Sequence, residues 1–149
     1  MGPPFFYDAF VYHLGLPWQA MLEGGWRGHP ENLFSTFPPL AQLLYLPLLS
    51  VDLLRAPAML HWLAWLTAAS SVHALARRSG APPLAAGLAA AAAAAAPASV
   101  LVAGFPAAEA WLLVGLLPAL VLATGARRRS SCALAGLLAG MASAARLQG

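Results

Sequence analysis

Three of the five carboxylates and two of the four histidines of this sequence stand between Tyr7 and Leu40, in YDAFVYHLGLPWQAMLEGGWRGHPENLFSTFPPL. A carboxylate such as Asp8 can take or polarise the proton of an attacking hydroxyl. A guanidinium such as Arg146 or Arg27 can grip a phosphate through paired hydrogen bonds. Tyr12 follows Asp8 by four residues, so on a helix it shares the face of that acid and can orient it. His13, His29 and Glu31 are metal-ligand types, but their spacing fits no standard metal pattern, and neither a metal nor another cofactor is assigned. Trp18 and Trp26, outside the long apolar runs, present aromatic faces that can stack on a ligand. Trp62, Trp65 and Trp111 read as packing or lipid-facing residues, and His61 and His73, twelve apart on one helix, as packing histidines without an acid or Cys partner nearby. Glu109 and Arg146 stand inside long apolar runs, where an ionisable group is expensive and marks a functional position by default.

Those groups sit in an apolar frame. Of 149 residues, 60% are hydrophobic and 9% charged, against about 25% charged in soluble domains. Mean hydropathy is +0.71. Long apolar runs place the chain in the membrane class. The single Cys132 excludes an internal disulfide framework. All eight basic residues are Arg, and a net charge of +3 in short Arg clusters reads as a topology signal, not as a nucleic-acid surface. Abundant Ala, Gly and Pro without Lys suggests a GC-rich bacterial gene. After Met1 there is no basic segment and no small-residue cleavage site of a signal peptide. Arg146-Leu147-Gln148-Gly149 stops partway through a helical pattern, which reads as a fragment.

In chain order, residues 8–23 form an amphipathic helix with Asp8 as cap and Gly24-Gly25 as stop. Phe10, Leu14, Trp18, Met21 and Leu22 share one face, suited to a membrane surface. Residues 24–36 are loop. Residues 37–54 carry only about 15 apolar residues, roughly 22 Å of helix against a hydrocarbon core of roughly 30 Å. With Pro47 inside, this piece is expected to be a re-entrant or juxtamembrane helix and not a full span, a crossing there placing residues 1–36 on the cytoplasmic side. Four spans are expected at 57–76, 82–104, 106–125 and 131–149. Arg77-Arg78 and Arg127 to Arg129 then mark the cytoplasmic side, and residues 1–54 face outside a bacterial cytoplasmic membrane. The expected fold is all-α: a polytopic bundle (55–149) behind an extracytoplasmic loop (1–54). In it Glu109 and Asp8 share the outer surface. Arg146 comes close to the same surface, because about 16 residues of helix rise roughly 24 Å.

The loop motifs Asp8-Ala9-Phe10-Val11-Tyr12-His13-Leu14, Leu16-Pro17, Gly24-Gly25 and Ser35-Thr36-Phe37-Pro38-Pro39-Leu40, with Tyr45, resemble the first external loop of GT-C membrane glycosyltransferases. The protein O-mannosyltransferase and aminoarabinose transferase group is the nearest in pattern. The tail from Leu134 to Met141, with Ala144-Ala145-Arg146-Leu147-Gln148-Gly149, is similar to a later helix of that group, with Arg146 where Lys is usual. Glu109 falls where relatives open a helix with an acid, more often Asp. The resemblance covers nearly the whole chain but only the first third of a full-length member, so the chain alone is expected to be inactive. Ala9 stands where many relatives carry Glu, and Phe37 where some carry a basic residue.

The resemblance implies inverting transfer of a hexose or pentose from a polyprenyl-phosphate donor to a lipid, glycan or protein acceptor at the membrane. Asp8 would be the general base. Arg146, or more weakly Arg27, would meet the phosphate, and Glu109, Tyr12, His13 and Trp26 would contact substrate. Two other classes use the same residues differently. A transporter fragment would place Glu109 and Arg146 on a substrate path, which a polar surface loop fits poorly. A non-catalytic or degenerate membrane protein would need the helices only to pack.

Overall fold

A computed structural model describes residues 7, 9–36, 40–106, 108–125 and 128–145. Its elements are helical: a π-helical turn at Ala9–His13, α1 (Gly15–Leu22), a 3₁₀ turn at Leu33–Thr36, α2 (Leu40–Ser50), α3 (Ala56–Arg78), α4 (Pro83–Ala95), α5 (Pro97–Ala103), α6 (Glu109–Gly125) and α7 (Arg129–Ala145). Antiparallel α6 and α7 form the most extensive pair; α3 lies against α4 and α6, and α2 joins α1 to the bundle by touching α3 and α7.

Local chemistry sets most boundaries. Helix α3 starts with Pro57 in its first turn and ends at Arg77 and Arg78, whose charges suit the negative end of the helix dipole. Gly80, at φ 89°, then reverses the chain, and its N–H bonds to the Arg77 carbonyl. Helix α4 opens on Pro83. The single helix expected over 8–23 is instead a π turn followed by α1. The Leu14 N–H reaches back five residues to the Ala9 carbonyl at 2.8 Å. Gly15 is required at that junction, because a Cβ there would lie 2.2 Å from the Phe10 carbonyl oxygen. This segment buries Ala9, His13, Leu16, Pro17 and Ala20 and turns Phe10, Trp18 and Leu22 outward.

The apolar runs do fold as helices, but they do not make a polytopic bundle. Among the described residues no helix is long and apolar enough to cross a membrane. The run expected to span at 82–104 is cut at Ala96, whose ψ of 131° is extended. Pro97 forces that conformation on the residue before it, leaving helices of 13 and 7 residues. Thirteen residues rise only about 20 Å and seventeen, the length of α6 and of α7, about 26 Å. Helix α3 has 23 residues, but His61, Thr67, Ser70, Ser71, His73, Arg77 and Arg78 make it too polar. Among the described residues no crossing helix supports the inside-outside assignment drawn from the Arg clusters. The clusters do share one end of the bundle. The Arg78 guanidinium donates to Thr124 Oγ1 at 3.3 Å and covers Gly125, just ahead of Arg128 and Arg129.

The interior is made of small and polar residues. Alanine dominates the buried apolar set among the described residues, with Leu16, Tyr45 and Leu49 the larger members, and His13, Ser35, Gln42, His61 and Ser71 are buried with them. Backbones approach closely where no side chain intervenes: a Cβ on Gly115 would lie 2.6 Å from the Ala142 Cβ and 2.6 Å from the Leu138 carbonyl oxygen. Leu84 and Leu88 on α4, Leu116 and Leu120 on α6, and Leu134 and Leu137 on α7 point outward.

Candidate functional site

Two places concentrate chemistry, and a single helix, α6, contributes to both. The first is a buried polar node. Tyr45 of α2 and His61 of α3 have no exposed surface, and His13 of the π turn has 2%. The Trp111 Nε1–H of α6 donates to the Tyr45 Oη at 2.7 Å, and the Tyr45 hydroxyl is hydrogen-bonded to His61 Nε2. The Tyr45 hydroxyl thus bridges the indole and the imidazole, with the donor of the Tyr45–His61 bond set by the His61 tautomer. The three rings sit 5.9–6.2 Å apart, with His61 and Trp111 edge to face. Next to them, the side-chain amide of Gln42 lies 3.4 Å from His13 Nδ1. Burial, and secondarily the charge of His61, lowers the pKa of His13 from 6.5 to about 4. Closed to solvent, this node fixes α2, α3, α6 and the π turn to one another.

The second place is open. Helices α3, α4, α5 and α6 enclose a cavity of about 370 Å³, within the size range of small-molecule sites. Its wall is Ala64, Ala68 and Val72 on one side and Leu113 and Leu117 on the other, with Trp65 and Glu109 at its polar points. Glu109 is the only ionisable residue among the described lining residues. Trp65 is held in place by its Nε1–H, which donates to the Ala94 carbonyl at 3.2 Å, and by edge-to-face contact with Trp62 at 5.2 Å. Such a space accepts an apolar chain, and its carboxylate can receive hydrogen bonds from hydroxyls at the end of that chain.

The candidates from the N-terminal loop fall elsewhere. Tyr12 is half-buried, stacked on Phe34 at 4.2 Å and 14°. Trp26 is half-buried and Arg27 exposed, in the turn after α1. Asn32 Nδ2 donates to the Val11 carbonyl at 3.2 Å, which ties this turn to the π turn, and the Ser35 hydroxyl bridges the N–H and carbonyl of His29. His29 lies 3.7 Å from Glu23 and 3.5 Å from Glu31. Among the described residues no group of three His, Cys, Asp or Glu side chains is disposed to hold a metal ion. Asp8 and Arg146 lie outside the described residues. The expected meeting of Asp8, Glu109 and Arg146 is therefore represented by Glu109 alone.

The cavity and the node were both invisible as spacing. Tyr45 and His61 are 16 positions apart on different helices, and Trp111 is 66 beyond Tyr45. Only the Pro97 break, which folds α5 back beside α3 and α6, closes the cavity wall. The one signal available in the sequence was Glu109, an acid at the start of an apolar run. Comparison of the chain with protein-family models, curated proteins and solved structures found no match.

Proposed function

We propose that the chain takes part in glycosyl transfer from a polyprenyl-phosphate-linked sugar at the cytoplasmic membrane, and that the cavity between α3, α4, α5 and α6 receives the prenyl chain. One observation carries this reading: an apolar space of about 370 Å³ that offers one carboxylate and one pinned indole. An isoprenoid gains from apolar burial at about 25 cal/mol per Å². A sugar hydroxyl suits a carboxylate, and a sugar face suits an indole. In this reading Asp8 takes the proton of the acceptor hydroxyl, whose oxygen bonds to the anomeric carbon as the bond to the phosphate oxygen breaks. The polyprenyl phosphate leaves with the charge, met by Arg146 or Arg27. The motifs of the N-terminal loop and of the Arg146 tail support those roles. Glu109 binds the sugar and does not take the proton.

The test begins with binding. Titration of the full chain with a long-chain polyprenyl phosphate, read by Trp fluorescence, is expected to saturate. Ala98→Phe narrows the cavity and is expected to weaken binding about tenfold, equivalent to about 1.4 kcal/mol, while Ala133→Phe on the exposed side of α7 leaves it unchanged. In a transfer assay with a labelled sugar on that carrier, run on a full-length transferase that carries this chain, Asp8→Asn is expected to abolish turnover and keep binding. Unsaturable titration, or undiminished turnover in Asp8→Asn, overturns the proposal.

A further inference from the structure

The arginine end of the bundle and the leucines beside it have a chemistry that the cavity does not use. Helices α3 and α6 end there together, and α4 and α7 start from there, so Arg77, Arg78, Arg128 and Arg129, all exposed, crowd one rim. Just past that rim, Leu84 and Leu88 on α4, Leu116 and Leu120 on α6, and Leu134 and Leu137 on α7 point outward, from 42% exposed at Leu116 to 76% at Leu84. Each pair is spaced i, i+3 or i, i+4, so each makes one stripe on its helix. Counted from the rim, all six lie within nine residues of a helix end, a depth of about 14 Å or less. That depth matches one half of a hydrocarbon core of roughly 30 Å.

The packing inside the bundle points the same way. Where water drives association, large apolar residues go inside. Here alanines and a Gly115–Ala142 contact fill the α6–α7 interface, while the leucines face away. Small residues inside and large apolar residues outside is the arrangement of helices whose surroundings are themselves apolar. A positive rim over an apolar belt complements anionic headgroups over acyl chains.

We infer that this end of the bundle docks into one leaflet of an anionic lipid surface, with the four arginines at headgroup depth and the six leucines among the acyl chains, and without crossing it. The docking stands apart from the glycosyl-transfer reading, because plain phospholipids lacking any polyprenyl phosphate serve as the probe.

Flotation of the full chain with vesicles of equimolar phosphatidylglycerol and phosphatidylcholine is expected to carry the protein up. Vesicles of phosphatidylcholine alone are expected to bind it far less. Arg77→Gln with Arg128→Gln is expected to lower partitioning about 30-fold, at roughly fivefold per charge, with helicity unchanged by circular dichroism. In a Cys132→Ser background, a fluorophore on Leu137→Cys is expected to shift to the blue on binding and to be quenched by lipids brominated in the acyl chain. Equal binding to both vesicle types, an unshifted fluorophore, or no flotation overturns the inference. So does a lipid-free dimer abolished by Leu116→Gln with Leu137→Gln, which would assign the belt to a second copy of the chain.

Discussion

His13 makes stability depend on pH in a window that can be computed in advance. Its folded pKa is about 4 and its unfolded value 6.5, with burial as the main cause and His61 as the second. Between those values the unfolded chain takes the proton and the folded chain refuses it, so falling pH favours unfolding. The stability tied to neutral His13 is complete above about pH 7.5. It diminishes through pH 6.5, and the loss levels off only about one unit below the folded pKa of about 4. At 1.4 kcal/mol per pKa unit, the linkage comes to about 2 kcal/mol lost by pH 5 and about 3 kcal/mol by pH 4. With a urea m-value of about 2 kcal/mol per molar, the midpoint at pH 5 lies about 1 M below that at pH 7.5. His13→Gln keeps a polar side chain near Gln42 and removes the titration. Its midpoint at pH 7.5 falls below wild type, but its loss between pH 7.5 and 5 is smaller by about 2 kcal/mol. Other titrating groups are common to both proteins and cancel in that difference. Equal losses in the two proteins would refute the linkage, and with it the burial of a neutral His13 against α2.

Three further outcomes test the packing. Tyr45→Phe removes the acceptor of the Trp111 N–H and the hydroxyl bonded to His61 Nε2, and is expected to cost about 2–6 kcal/mol in chemical denaturation, at 1–3 kcal/mol for each group left unsatisfied. A loss under 0.5 kcal/mol counts against the node. Gly115→Ala is expected to destabilise by about 1–3 kcal/mol, because its Cβ must displace Ala142 or the Leu138 carbonyl; Ala142→Gly in the same chain is expected to restore most of that loss. Gly136→Ala on α7 meets nothing within 4 Å, so it is expected to raise the thermal midpoint through about 0.5–1 kcal/mol of helix propensity. The opposite signs of these two glycine substitutions are the check on the α6–α7 contact.

Helix class and most helix ends were legible because Pro, Gly and Arg mark them. Pro57, Arg77-Arg78, Gly80 and Pro83 frame α3 and the start of α4 within a residue or two of their sequence-based positions. Hydropathy misled at Pro97. An unbroken apolar run from Pro82 to Gly104 satisfies the composition of a span, yet one missing N–H and the extended Ala96 before it divide the run in two. Gly15 was unreadable for a different reason. Its necessity comes from the Phe10 carbonyl oxygen, and that contact exists only once the preceding turn is π rather than α. Glu109 could be picked out as an acid in apolar sequence, but the cavity it lines needed four helices to be placed.

Apolar content and span length are separate properties, and this chain separates them. Its hydropathy comes from two populations that a running average adds together: alanines, which permit close helix contact where they are buried, and leucines, many of which face outward. Alanine contributes to mean hydropathy without adding the thickness of apolar surface that a bilayer crossing needs. On α4, α6 and α7 exposed leucines form short stripes near the arginine rim, and among the described residues no helix is long and apolar enough to carry such a band through 30 Å. Among the described residues, high hydropathy therefore arises here without a helix long and apolar enough to cross a membrane. The Tyr45 hydroxyl, His61 Nε2 and Trp111 Nε1 are hydrogen-bonded among themselves on the inside. A bundle held by such a node and by alanine contacts does not depend on burying its leucines in its own core. They remain outside, where acyl chains can cover them.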